Sequence, residues 1–359
     1  MRSRQVLKQV VNVALVVAGI GLIAWMLWVV GWPAIEANLS AIGGWFVVLA
    51  AFYICAELAF TAGWWVLIDP QLRRSKFMSL FGVYLASYTI NYLIPSGNIA
   101  GEPVRADLSR ESLGLSHALA SITVHKHAEL VSQWLFLTAG MVVCLSQFDL
   151  STPVKLAAAA LLGGMGVAIV LMAWALRRGT FLPILQRLVR WKPLSSRLKP
   201  YQPVAEALDA NIQTFYSSKQ SRWFAASTGW CLVGWCGGLV ETYVILRLLS
   251  PTAGWTTAVA VEAVAMVLNS LIVFVPGRVG SAEGVRVGVF MLLGLPAAQG
   301  VAYSLVRRGR ELIWIVPGLV VLVKRYGARL DWPWLKEPSS TKALHEDESK
   351  VPELTADRR

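Results

Sequence analysis

The chain has 359 residues, of which 56% are hydrophobic and only 15% are charged, whereas an ordinary soluble domain is about a quarter charged. This composition, a mean hydropathy of +0.55 and 16 Trp residues argue against a typical soluble enzyme, exclude a disordered chain and favour a membrane protein. The net charge of +12 favours basic cytoplasmic loops over nucleic-acid binding, because the sequence has no zinc-finger spacing and no basic run interleaved with aromatic residues.

Several segments of the chain are long and apolar enough to cross a bilayer, which takes about 20 residues of helix. The first follows Arg2, Arg4 and Lys8, as a signal peptide would, but it is too long and lacks a small-residue cleavage site. We therefore interpret it as a retained helix. Six spanning helices are predicted, over Val10–Val30, Gly43–Ile68, His117–Phe148, Val154–Leu176, Trp223–Leu249 and Ala297–Val323.

Two further apolar segments end at helix-breaking residues. Phe77–Ile94 meets Pro95-Ser96-Gly97, Gly254–Val275 meets Pro276-Gly277, and a polar stretch follows each break. Irregular backbone at membrane depth is tolerated only inside protein or beside water. We therefore predict two re-entrant helical hairpins, at about residues 77–115 and 254–295.

The two hairpins are related in sequence. When Pro95 is aligned with Pro276, Glu102 falls on Glu283 and Arg105 falls on Arg286 at a single offset. One residue further out of register, the pattern of residues 125–130 matches that of residues 307–312. These matches predict an internal repeat.

The distribution of basic residues predicts the topology. Lys and Arg prefer the cytoplasmic side, and nine of them lie in the loop Arg177–Arg222. Placing this loop and both termini in the cytoplasm makes the hairpins enter from opposite faces. The expected fold class is therefore an all-α polytopic membrane protein whose repeats are inverted in topology, as in many secondary transporters.

Residues 1–335 form one predicted transmembrane domain, followed by a disordered cytoplasmic tail at 336–359. Inside the basic loop, Phe181–Trp191 and Val204–Tyr216 carry apolar residues at helical spacing. We expect these two helices to lie along the inner membrane surface. A solvated linker is the alternative interpretation.

The charged residues near the hairpins carry the functional prediction. Glu102 and Arg105, Glu283 and Arg286, Lys126 and Glu129, and Arg308 and Glu311 are each spaced i,i+3, so each pair shares a helix face. A lone charge at the bilayer centre costs about 2.5–3.5 kcal/mol on insertion scales, so these groups must face protein, water or each other. We expect a slightly cationic pocket suited to a phosphate or another anionic headgroup. The candidate substrate-binding residues are Glu102, Arg105, His125, Lys126, Glu129, Glu283, Arg286, Arg307, Arg308 and Glu311.

Alternatives to this interpretation remain open. The charge pairs could simply pin the hairpins to two helices. Glu241 and Glu262, like Glu57, are isolated intramembrane acids in the sequence; either of the first two could couple transport to protons or lie at a helix end. No cofactor, metal or catalytic residue is expected, because His125 and Glu129 lack a third ligand and no P-loop, HExxH or GxSxG motif occurs. The four cysteines imply no disulfide framework.

The motifs around both breaks resemble a known family. Residues 91–95, 101–105, 129–133, 275–284, 294–296 and 307–312 together are similar to the lysylphosphatidylglycerol synthase transmembrane, flippase-like family. They look closest to its stand-alone branch of hopanoid-biosynthesis-associated membrane proteins. The chain lacks the aminoacyl-transfer domain of the synthases, and Arg278 stands where a small residue is expected. The resemblance implies a bacterial inner-membrane protein that moves or handles a phospholipid, a polyprenyl lipid or a hopanoid.

Three functions compete at this point. The first is a lipid translocator, whose partners are membrane lipids. The second is a membrane enzyme that modifies a headgroup, with His125 as base and Glu129 as its orienting residue. The third is a non-catalytic scaffold that holds lipid-biosynthesis proteins through the loop of residues 177–222.

Overall fold

The computed structural model of the chain describes residues 32–72, 77–94, 96, 98–148, 151–190, 195, 199–216, 221–271 and 280–326. Within these residues every regular element is helical, which confirms the predicted all-α polytopic class. The first six α-helices are α1 (Trp32–Ile42), α2 (Trp45–Trp65), α3 (Phe77–Leu93), α4 (Gly101–Leu113), α5 (Leu115–Gln147) and α6 (Thr152–Arg178). The remaining six are α7 (Phe181–Val189), α8 (Gln202–Phe215), α9 (Ser221–Leu249), α10 (Trp255–Leu271), α11 (Ser281–Leu292) and α12 (Ala297–Tyr326).

Four helices are long and apolar enough to cross a membrane, namely α2, α5, α6 and α9. Helix α12 has 30 residues, a length of about 45 Å at the α-helical rise. Its apolar run is interrupted by the charged stretch of residues 307–311. Five of the six predicted spanning segments thus form long helices, and the sixth, Val10–Val30, lies outside the described residues.

The first predicted hairpin is a helix–break–helix unit made of α3 and α4. The Asn91 side chain accepts a hydrogen bond from the Gly101 amide at 2.7 Å, which ties the end of α3 to the start of α4. A Cβ atom at Gly101 would lie 2.2 Å from the Ser87 carbonyl oxygen, so only glycine allows these helices to approach this closely. Pro95 and Gly97 lie outside the described residues.

The second predicted hairpin is made of α10 and α11, which pack against each other. Helix α10 is among the most deeply buried helices, with Ala258, Ala260, Val261 and Ala263 inaccessible to solvent. Helix α11 starts after Gly280, whose φ of 76° lies in the left-handed region. The predicted break at Pro276-Gly277 and the added cation Arg278 lie outside the described residues.

The long helices α5 and α12 bring the two units together. Helix α5 packs against α4 and α10, and α12 packs against α11 and α3. Each long helix therefore contacts the adjoining helix of its own unit and the first helix of the other unit. The approach of α3 to α12 depends on Gly318, where a Cβ atom would lie 2.2 Å from the Leu85 carbonyl oxygen.

The basic loop contains the two expected helices, α7 and α8. The Asp209 carboxylate on α8 accepts hydrogen bonds from the amides of Phe181 (3.1 Å) and Leu182 (2.8 Å), which caps the start of α7. Leu208 and Ile212 of α8 are buried in a cluster with residues of α5. These contacts show folded helices in place of a solvated linker, and the membrane-surface location stays a prediction. The tail at 336–359 lies outside the described residues.

Candidate functional site

A cavity of about 430 Å³ lies between the two helix–break–helix units. It is lined by residues of α2, α3, α4, α5, α9, α10, α11 and α12. Eight of the ten predicted site residues line it: Glu102, Arg105, Lys126, Glu129, Arg286, Arg307, Arg308 and Glu311. The other two, His125 and Glu283, lie behind this lining and contact Arg105 and Arg308.

On the side of the first unit, α4 and α5 contribute two of the predicted i,i+3 pairs. Glu102 lies 3.5 Å from Arg105, and Lys126 lies 3.1 Å from Glu129. Lys126 also reaches Glu102 at 3.8 Å, so that one ammonium group bridges carboxylates from both helices. These contacts confirm the face-sharing that the spacing predicts.

Arg105 is 1% exposed and its guanidinium is held by an aromatic ring and a histidine. The guanidinium carbon lies 3.8 Å from the centroid of the Trp64 ring, and Nη1 lies 3.5 Å from His125 Nδ1. His125 Nε2 is 3.0 Å from the Phe60 carbonyl oxygen, which only accepts, so Nε2 donates and Nδ1 is left to accept from Arg105. The imidazole therefore orients Arg105.

His125 does not contact Glu129, the residue that would orient it in the headgroup-modifying alternative. The imidazole contacts Phe60 on α2, Arg105 on α4 and, at 3.7 Å, the Cys231 sulfur on α9, whereas Glu129 pairs with Lys126. The base-and-orienter arrangement considered for a headgroup-modifying enzyme is therefore not formed. Helical spacing places two residues on one face, but the packing of α2 against α5 decides which group the histidine meets.

On the side of the second unit, the predicted pair of Glu283 with Arg286 is also wrong. Glu283 pairs with Arg308 at 2.5 Å, and Arg286 pairs with Glu311 at 3.0 Å. Both partners lie on α12, which packs alongside α11. The charged groups of α12 are therefore close enough to pair with Glu283 and Arg286, which pair with them and not with each other. Arg308 and Glu311 do form their predicted i,i+3 pair, at 3.3 Å.

Arg308 joins the two units directly. Its guanidinium donates a hydrogen bond to the hydroxyl of Tyr92, at the end of α3, while holding Glu283 of α11. Arg286 and Arg308 have side chains that are 11% and 14% exposed, and both line the cavity. The two guanidinium groups are thus fixed by carboxylates but still accessible from the cavity.

Arg307 pairs with Glu262 on α10. The distance to Glu262 is 2.5 Å, and the hydroxyl groups of Thr242 and Tyr303 donate hydrogen bonds to the same carboxylate oxygen. Arg310 lies 3.1 Å from Glu241. Glu241 and Glu262 are therefore neither isolated nor at exposed helix ends, because both are buried against arginines of α12.

Arg310 is a site residue that sequence reasoning missed. It lines the cavity, and its guanidinium carbon lies 3.5 Å from the centroid of the Tyr53 ring. The available signal was its position in the same interrupted apolar run as Arg307, Arg308 and Glu311. A repeat-based comparison did not find it, because the aligned position in the first unit carries no charge.

The observed charge balance corrects the expected cationic pocket. Among the described residues, the cavity and the layer behind it hold six fixed cations: Arg105, Lys126, Arg286, Arg307, Arg308 and Arg310. The same region holds seven carboxylates: Glu57, Glu102, Glu129, Glu241, Glu262, Glu283 and Glu311. The predicted site contained five fixed cations and only four carboxylates. Glu57, Glu241 and Glu262, which appeared isolated in the sequence, add three carboxylates, whereas Arg310 adds one cation.

The two units share part of their pairing pattern at the positions that the repeat aligns, although Arg105 and Arg286 have different partners. Glu102 reaches Lys126 at 3.8 Å, and the aligned Glu283 reaches Arg308 at 2.5 Å. The cation of each long helix then pairs with the glutamate three residues later, at 3.1 Å and 3.3 Å.

In the part of the chain that the structure describes, no group of three His, Cys, Asp or Glu side chains is arranged to hold a metal ion.

Comparison with known proteins identifies the family. The family model described as the lysylphosphatidylglycerol synthase TM region matches residues 10–318, which is well over half of the chain. Neither the curated proteins nor the solved structures include a match to the chain. The matched region contains both helix–break–helix units and the whole charged cavity. The chain therefore belongs to the lysylphosphatidylglycerol synthase transmembrane-region family, whose name links it to lipid handling in a membrane.

Proposed function

We propose that the protein is a lipid translocator that binds a polar or anionic headgroup in the charged cavity. The observation that carries this proposal is that one cavity, surrounded by membrane-type helices, collects charged side chains from both helix–break–helix units. A volume of about 430 Å³ falls within the range of small-molecule sites. Ionisable residues inside a membrane protein usually mark a substrate pathway.

The headgroup contacts are assigned to Arg286 and Arg308. Guanidinium binds phosphate in a bidentate manner and stays charged in a low-dielectric site. Glu311 and Glu283 hold these two side chains in place through ion pairs of 3.0 Å and 2.5 Å. The acyl chains would remain among the lipids while the headgroup crosses, so that the cavity needs to hold only the polar part.

The proposed mechanism is alternating exposure of the cavity to the two leaflets by two repeats of inverted topology. Two observations support a repeat: α5 and α12 contact the two units in the same manner, and the ion pairs recur at aligned positions. The basic loop and the basic ends of the chain support entry of the hairpins from opposite faces. With this topology, the termini would be cytoplasmic in a bacterial inner membrane.

The finer assignments rest on the motifs. The stand-alone branch associated with hopanoid biosynthesis fits the residues around both breaks, and a phospholipid, a polyprenyl phosphate or a hopanoid would be the cargo class. Partner proteins of lipid biosynthesis would contact the loop of residues 177–222. No catalytic role is proposed for the cavity.

A reconstituted assay tests the proposal. Proteoliposomes receive acyl-labelled phosphatidylglycerol or phosphatidylethanolamine in one leaflet, and dithionite quenching reports how much label changes side. Movement of label with no new lipid species, well above protein-free vesicles, supports translocation. A chemically altered lipid would support a headgroup-modifying enzyme, and unchanged sidedness with unchanged lipid across the panel would support the scaffold.

A further inference from the structure

Glu57 differs from the other six carboxylates of the cavity region. It lies on α2, is 2% exposed and lines the cavity. Each of the other six has an Arg or Lys nitrogen within 4.0 Å. Among the described residues, Glu57 has no such partner, and its Oε2 atom has no hydrogen-bond partner. It is therefore the one glutamate of this cluster without a fixed counter-charge.

The groups that face Glu57 do not supply a cation. Tyr53, one turn earlier on α2, lines the cavity beside it and carries a neutral hydroxyl group. Arg310 on α12 is engaged with the Tyr53 ring and with Glu241 on α9. On the other sides of the cavity, α3 presents the hydroxyl groups of Tyr84 and Tyr88. The cations of α4 and α5 are already paired, Arg105 with Glu102 and Lys126 with Glu129.

The number of charged groups around the cavity determines how costly it is to ionise Glu57. Among the described residues, the six cations are matched by the six paired carboxylates, so an ionised Glu57 would have no counter-charge among these residues. Uncompensated buried charges are costly, and they are relieved by a counter-ion or by a proton. A proton needs no further ligand, and the unpartnered Oε2 atom is placed to carry it at the cavity wall.

We infer that Glu57 is the proton-exchange site of the cavity and that its protonation is coupled to the passage of the headgroup. The carboxyl O–H bond breaks to give a carboxylate and a proton that leaves to water in the cavity, and the reverse step restores it. The coupling rests on the proposed translocation, whereas proton binding at Glu57 does not. Glu241 and Glu262, the two acids that the sequence suggested for proton coupling, are ion-paired with arginines. Glu57 therefore takes this role in their place.

Proton binding is tested by infrared difference spectroscopy on the purified full-length protein in lipid nanodiscs, titrated with pH. The expected result is a carbonyl-stretch band of a protonated carboxylic acid that shifts in heavy water and disappears as the pH rises. Glu57→Gln should remove the band, and Glu36→Gln, which changes an exposed glutamate on α1, should retain it. Absence of the band in the wild type, or its persistence in Glu57→Gln, would overturn the inference.

The coupling is tested in the proteoliposome assay with an imposed pH gradient and a pH-sensitive dye in the lumen. If one proton moves with each lipid, one pH unit should shift the distribution of labelled phosphatidylglycerol about tenfold, because it is a tenfold difference in proton activity. Glu57→Gln should abolish the shift and the dye signal, and Glu36→Gln should keep both. A gradient response that survives in Glu57→Gln overturns the coupling. Absence of any lipid movement in the wild type would instead refute translocation, and the infrared band would still decide the proton site.

Discussion

Arg286 on α11 pairs with Glu311 on α12 at 3.0 Å, although Glu283 stands one turn away on its own helix. Glu283 in turn pairs with Arg308 at 2.5 Å, so the two charges of α11 are both satisfied by α12. The crossed pairs connect the short helix to the long one through two charge-assisted contacts. They also leave both guanidinium groups at the cavity wall, where a headgroup would meet them.

Replacement of Arg286 separates headgroup binding from scaffolding. Arg286→Lys keeps the charge and loses the guanidinium fork, so we expect transport to fall at least about tenfold, the equivalent of one lost bidentate contact. The melting temperature should stay within about 3 °C of the wild type. Arg286→Gln should also remove transport. Its stability cost should stay below the about 3–5 kcal/mol of a stranded buried charge, because Glu311 keeps Arg308 and Arg310.

The measurements for this series are lipid translocation and thermal unfolding on the same preparations. Arg178→Lys, at an exposed position at the end of α6, is the matched control and should behave as the wild type. Normal transport in a folded Arg286→Gln protein would remove Arg286 from the site. A large loss of stability in both variants would favour the purely structural role of the pairs.

The cluster around Glu262 is expected to control stability. Glu262→Gln leaves Arg307 with Glu241, at 3.9 Å, as its carboxylate partner. The free energy of unfolding should therefore fall by about 3 kcal/mol. In the double variant Glu262→Gln/Arg307→Gln the charge is no longer stranded, and the total loss should fall short of the sum of the single losses by about 1–3 kcal/mol. Thermal or denaturant unfolding in detergent measures this cycle, with Glu36→Gln as control. Strict additivity would show that the pair does not interact.

The helix contacts at Gly101 and Gly318 are expected to tolerate no side chain. Gly101→Ala and Gly318→Ala each place a Cβ atom 2.2 Å from a backbone oxygen, so each should destabilise the protein by about 1–3 kcal/mol. Gly288→Ala on α11 meets no atom within 4 Å and should be neutral or stabilising. Melting temperatures of the three variants decide the matter. Equal effects at all three positions would contradict the observed helix approach.

The predicted topology places residue 218 in the cytoplasm with the rest of the basic loop. In a variant whose four native cysteines are replaced, Ser218→Cys should resist a membrane-impermeant thiol reagent added to intact cells. It should react in inside-out vesicles. A cysteine at Ser40, an exposed position on α1 that the same topology places on the outer side, is the opposite control. Labelling of residue 218 from outside would reverse the assigned orientation.

Hydropathy and helical spacing predicted the features that depend on neighbouring residues along the chain. A membrane helix must satisfy its own backbone hydrogen bonds, so the length and composition of each segment are enough to find it. The same locality explains why Glu102 and Arg105, Lys126 and Glu129, and Arg308 and Glu311 form the pairs that their spacing predicts. The alignment of the two breaks also anticipated that both units contribute to one cavity.

The partners of the other charged residues could not be found in this way, because they come from distant parts of the chain. Arg286 and Glu283 of α11 pair with residues of α12. His125 contacts Phe60 and Arg105, and Arg307 pairs with Glu262. Which carboxylate lies nearest to an arginine depends on which helices pack side by side, and a one-dimensional pattern does not contain that information. Only the folded arrangement therefore shows, among the residues that the structure describes, six matched pairs of charges and a seventh carboxylate, Glu57, with no Arg or Lys nitrogen within 4.0 Å, because pairing depends on distances in space.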